Sequence, residues 1–129
     1  FPGLNFSDGE LAEGIRRAHA RGRRVFIALN SHAEPARLPD WQRAVDRAAA
    51  LGADAIIVAD MAVLDYACRV HPDLPRHLSV QGSATTAAAL AYLHGRFGIS
   101  RAVLPRVLSI EQVERLAGRS PVPLETFAF

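Results

Sequence analysis

His77-Leu78-Ser79-Val80-Gln81 alternates polar and apolar side chains through five residues, and that alternation decides the fold. A strand sends successive side chains to opposite faces, so His77, Ser79 and Gln81 share one face while Leu78 and Val80 share the other. Central strands of a doubly wound sheet are covered on both faces and read as continuous apolar runs. A polar inner face instead suits the lumen of a β/α barrel.

Working outward from this stretch, four further short apolar runs read as strands: Val25–Asn30, Ala55–Asp60, Ala102–Arg106 and Leu124–Phe129. Helical patterns separate all five. The first opens on Ser7-Asp8-Gly9-Glu10, a capping box followed by Leu11, Ile15 and Ala18 on one face. The second starts with Asp40 as N-cap and buries Trp41, Val45, Ala48 and Leu51. A third runs from Met61 to Val70, and a fourth carries Leu90, Leu93, His94 and Phe97. The fifth begins with a second capping box, Ser109-Ile110-Glu111-Gln112, and presents Ile110, Val113 and Leu116. Gly22, Gly52, Gly98 and Gly118 each follow a helix, where a left-handed residue costs least as glycine.

Connections this long cannot be hairpins, so the strands are expected to be parallel. The fold class is therefore α/β, a parallel TIM-like (β/α) barrel. Five strands do not close an eight-stranded barrel, so residues 1–129 are expected to be a single partial barrel domain of a longer protein.

Composition narrows the function classes. The 15 cationic side chains are all arginine, yet the net charge is only +2 and the acids are interspersed among them. That pattern gives no basic stripe, so nucleic acid is not the expected partner. One cysteine, Cys68, excludes an internal disulfide and favours a reducing cytoplasm. No apolar run approaches the roughly 20 residues of a membrane span.

In parallel barrels the working residues sit where strands end. Those positions are Asn30, Asp60, Gln81 with Ser83, and Arg106. Their amides, carboxylate, hydroxyl and guanidinium could bind a small anionic or hydroxylated ligand. Glu125, on the last strand, is a sixth candidate, because an inward carboxylate needs a partner. Each also has a structural alternative: Asp60 as helix N-cap, Asn30 and Ser83 as loop residues, Gln81 and Arg106 as lumen polar contacts. No catalytic residue is assigned. His77 and Ser79 project parallel from one strand rather than toward each other, and Cys68 reads as a small helix hydrophobe. His32 and Glu34 near Asp60 read as solvated loop residues, so no metal site is expected in this chain. GxGxxG, Walker A, GxSxG and HExxH patterns are all missing.

Pro2–Ser7, Ile27–Asn30, Ala53–Asp60, His77–Gln81 and Val103–Arg106 together resemble the collagenase-like peptidase family, and the likeness covers essentially the whole chain. Trp41–Asp46, Leu104–Ile110 and Pro121–Phe129 are most similar to its UbiU-like branch, that of oxygen-independent ubiquinone biosynthesis. Glu125, Phe127 and Phe129 fall on the opening positions of a family signature similar to E-x-F-x-x-G-x-[LM]-C, which further cysteines follow. The resemblance implies a [4Fe–4S] iron–sulfur cluster on those cysteines in the full-length protein, and no cofactor within these residues. It also implies a UbiV-like partner protein in a heterodimer and anaerobic ring hydroxylation of a small-molecule quinone precursor. Other members of the family are linked to hydroxylation of tRNA or rRNA or to proteolysis, so an RNA hydroxylation factor or a protease is the alternative. Peptidase relatives often carry His where Phe129 stands, which implies a non-proteolytic branch.

Overall fold

A computed structural model describes residues 6–128. Helices and strands alternate throughout: α1 (Asp8–His19), β1 (Phe26–Leu29), α2 (Leu38–Ala50), β2 (Ala55–Val58), α3 (Met61–Val70), β3 (Arg76–Leu78), α4 (Ala87–Phe97), β4 (Ile99–Val103), α5 (Ile110–Ala117) and β5 (Leu124–Glu125). Short 3-10 turns at Pro35–Arg37 and Val80–Gly82 precede α2 and follow β3.

All strand pairs are parallel, and the sheet order is β1-β2-β3-β4-β5. A doubly wound sheet reverses its order at a switch point; this one does not. Successive right-handed crossovers in an unreversed sheet keep every helix on one face. That face holds the core. Ile56, Val58, Leu78, Ala102 and Leu104 of the sheet meet Val45, Ala48, Val63, Leu64, Ala67, Leu90, Leu93 and Leu116 of the helices. Leu64, Leu78 and Leu90 are wholly buried, each contributing about 1.5–3 kcal/mol by removal from water.

Local chemistry sets the element ends. Ser7 accepts from the Glu10 amide at 3.3 Å while its own amide donates to the Glu10 carboxylate at 2.8 Å, closing the first capping box. Ser109 and Gln112 repeat the arrangement at α5. Gly22, Gly52 and Gly98 have φ of 65°, 76° and 63°, the left-handed conformation that ends a helix.

Several expectations are corrected. Asp40 does not cap α2: that helix starts at Leu38 with Pro39 in its first turn, and Asp40 pairs instead with Arg37 and Arg43. Gly118 is right-handed, at φ −68°, so its place needed no glycine. On α5 only Leu116 is buried, and Ile110 is 76% exposed. His94 of α4 is exposed, its Nδ1 bonded to the Ile99 carbonyl oxygen. β4 begins at Ile99, earlier than Ala102, because the polar Ser100 and Arg101 conceal the start of the strand. β3 ends at Leu78: Ser79 N-caps the 3-10 turn, its hydroxyl accepting from the Gln81 amide, so Gln81 leaves the strand and its alternation. The Pro2–Asn5 stretch and Phe129 lie outside the described residues. Among the described residues no helix is long and apolar enough to cross a membrane.

Candidate functional site

Register brings the ends of the strands to one level. Leu29, Val58 and Leu78 are linked by pairing across β1 to β3, and Leu78, Ala102 and Leu124 carry that level to β5. Asn30, Asp60, Gln81, Ser83, Arg106 and Glu125 therefore all lie toward the carboxyl end of the sheet. Direct contacts join them only to their own neighbours.

Asp60 caps α3, accepting from the amides of Ala62 (2.8 Å) and Val63 (3.1 Å), while its other oxygen accepts from the Ala33 amide at 3.1 Å. His32 stands 3.8 Å from that same oxygen. The carboxylate thus ties the β1 loop to the start of α3, a structural use that occupies both oxygens. Asn30 is exposed on the same loop. Gln81 is held by Ser79, whose buried hydroxyl donates to its side-chain carbonyl. Ser83 adopts φ 51°, and its hydroxyl donates to the Gln81 carbonyl oxygen at 3.4 Å. A serine takes that conformation at a cost, so the turn after β3 is shaped by its surroundings. The Arg106 guanidinium lies 4.1 Å from the centre of the Phe127 ring, and both residues are exposed. An arginine stacked on an aromatic ring is a flat cationic surface.

The face of the sheet away from the helices carries a second group. Alternation and register place Phe26, Ile57, His77, Arg101, Val103 and Glu125 there. His77 is 93% buried, its ring edge-on to Phe26 with centroids 4.9 Å apart. Arg101 reaches Glu125 at 3.5 Å. Burial, and then the positive charge of Arg101, hold the His77 pKa below its ordinary value against the opposing pull of Glu125. The imidazole is neutral at pH 7, with one nitrogen donating and the other accepting. Ser79 shares the face, but its hydroxyl is directed to Gln81 and not to His77.

Arg76, beside His77, points to the helix side and is equally buried. Its guanidinium donates to the carbonyl oxygens of Phe97 (2.9 Å), Leu74 (2.7 Å), His71 (3.1 Å) and Pro72 (3.2 Å). These contacts staple the start of β3 to the ends of α3 and α4. Sequence reasoning missed both arginines. The signal available for Arg101 was its place after Gly98, where a strand was due; for Arg76 it was a long polar side chain directly before a buried strand.

An iron–sulfur cluster needs several thiolates. Cys68, half-buried on α3, is the single cysteine, and no three His, Cys, Asp or Glu side chains cluster among the described residues. The residues present do not fit such a group, and no step is routed through one.

Comparison with known proteins places these features in context. Residues 2–129 match the family model described as Peptidase family U32. The tRNA hydroxylation protein P of Escherichia coli K12 is 30% identical over 116 residues, covering 90% of this chain and 25% of that protein. The 23S rRNA 5-hydroxycytidine C2501 synthase of the same organism is 28% identical over 92% of this chain and 18% of its own length. An uncharacterized protease of Methanocaldococcus jannaschii is 30% identical over 87% of this chain and 26% of that protein. The chain thus spans about a quarter of the curated relatives it matches, or less. In fold it is similar to the U32 peptidase Mk0906, with a TM-score of 0.72 at 22% identity, over 93% of this chain and 51% of that one.

Proposed function

The chain belongs to peptidase family U32, and from that premise we propose that it is the β/α-barrel portion of a protein that serves hydroxylation of RNA bases, tRNA foremost. The observation that carries this reading is that relatives matched along nine-tenths of the chain bear RNA-hydroxylation names. Ring hydroxylation of a quinone precursor shares the chemistry but has no such support, so RNA is the preferred substrate class over the ubiquinone precursor suggested by the resemblance. A cluster would be held by cysteines other than Cys68.

The rim suits the role. Arg106 on Phe127 offers a base or phosphate a flat cation beside an aromatic ring. Asn30, Gln81 and Ser83 supply neutral donors and acceptors at the same end of the sheet. Proteolysis is poorly served: among the described residues no serine hydroxyl or cysteine thiol is hydrogen-bonded to a histidine, and nucleophilic cleavage needs that activation.

A net charge of +2 implies a narrow electrostatic footprint rather than a wide one. Neutralising about three phosphates gives a slope of log affinity against log salt of roughly −2 for single strands. Fluorescence anisotropy with tRNA, from low to moderate salt, measures it. Weakening with about that slope, and a further loss on Arg106→Ala, is expected. Absent binding, or binding indifferent to salt, would refute the reading.

A further inference from the structure

The RNA reading leaves the helix-free face of the sheet without a task, and that face holds a polar group with nothing to bind. Among the described residues His77 makes no hydrogen bond, although it is 93% buried. No fully buried side-chain nitrogen or oxygen among the described residues lacks a partner. The unbonded ring nitrogens of His77 therefore still reach the surface of the face. A polar side chain packed this closely and left unsatisfied is costly unless something completes it.

Its neighbours define what that would be. Phe26, 38% exposed, meets the imidazole edge-on and offers the other part of its ring to the same space, with the Arg24 guanidinium 5.6 Å from its centre. Arg101, register-paired with His77, has its charge offset by the Glu125 carboxylate at 3.5 Å. That carboxylate disfavours a free anion on its side. A neutral imidazole, a paired donor and acceptor, and an aromatic ring on one sheet face match a planar, uncharged heterocycle with donors and acceptors along one edge.

We infer that Phe26, His77, Arg101 and Glu125 form a binding site for a pyrimidine base, His77 and the Arg101–Glu125 pair meeting its polar edge and Phe26 its ring. This rests on the RNA reading and deepens it: the rim holds the strand, and the sheet face receives the base to be modified. The suppressed basicity of His77 fits this role, since a neutral imidazole can donate and accept at once.

The test is titration of cytidine into the protein with 15N-labelled histidine side chains, read at the His77 ring signals, with inorganic phosphate as a separate arm. Saturable movement with cytidine and none with phosphate is expected. His77→Phe keeps a planar ring and removes both nitrogens, and it should weaken cytidine at least about 10-fold, or some 1.4 kcal/mol. Arg101→Gln, at a one-third exposed side chain, should weaken it similarly and serves should His77→Phe fail to fold. Ring signals unmoved by millimolar cytidine, equal affinity in Arg101→Gln, or the same movement with phosphate would each overturn the site. Loss of tRNA binding by the unaltered protein would instead sink the RNA reading; tRNA binding with His77 indifferent to cytidine sinks only this inference.

Discussion

Replacing Arg76 with alanine removes a guanidinium that has no carboxylate partner among the described residues and bonds only to backbone carbonyls. Hydrogen bonds from charged groups contribute roughly 1.5–3 kcal/mol each. The carbonyls of His71 and Pro72 lie nearer the surface and regain water when the side chain is lost, whereas the bonds to Phe97 and Leu74 are buried. Counting those two alone gives a loss of about 3–5 kcal/mol, a large share of the 5–15 kcal/mol typical of a whole domain. With a urea m-value of about 2 kcal/mol/M, the midpoint should fall by roughly 2 M. Arg76→Lys keeps the charge but not the planar fork, and should fall between the two. Because no ion pair is broken, the loss should persist at 1 M salt, where surface pairs are screened. An Arg76→Ala midpoint within about 0.5 kcal/mol of the parent, or a loss that disappears in salt, would refute the staple.

The His77 imidazole titrates below its ordinary value in the folded protein, so the unfolded chain binds more protons as pH falls. Stability should be full above about pH 6.5 and decline as pH is lowered through the folded pKa; urea unfolding of His77→Gln should show a flatter profile over that window. Gly98→Ala should cost about 1–2 kcal/mol or more, since φ is +63° and the new Cβ would stand 2.9 Å from the Arg76 guanidinium; thermal melting checks it, and an unchanged melting point contradicts it. β1 is an edge strand above a groove of about 970 Å³ lined by Phe6, Leu11, Phe26 and Trp41, and exposed strand edges pair readily. The chain should self-associate with rising concentration in sedimentation; a clean monomer throughout would tell against this.

The fold was largely legible in the residues. Strand alternation at His77 and Ser79, capping boxes at Ser7 and Ser109, and glycines at 22, 52 and 98 are local signals, and each acts within a few residues of itself. Failures came where a longer-range contact decided. Asp40 looked like a cap but went to arginine partners, and Gln81 left its strand because the Ser79 hydroxyl opened a turn. The rim positions were readable because strand ends are set by sequence order, yet their convergence was not: Asp60 is consumed by three backbone amides, two of them in α3 and one in the β1 loop. The pairing of His77 with Phe26, Arg101 and Glu125 depends on register between strands, which no single segment encodes.

The central proposal is that this chain serves RNA base hydroxylation. Mass spectrometry of nucleosides from tRNA and rRNA, in cells with and without the intact protein, addresses it directly. Loss of a hydroxylated pyrimidine nucleoside, restored by the unaltered protein and not by His77→Phe, is the predicted result. An unchanged nucleoside profile in cells lacking the protein would contradict the account.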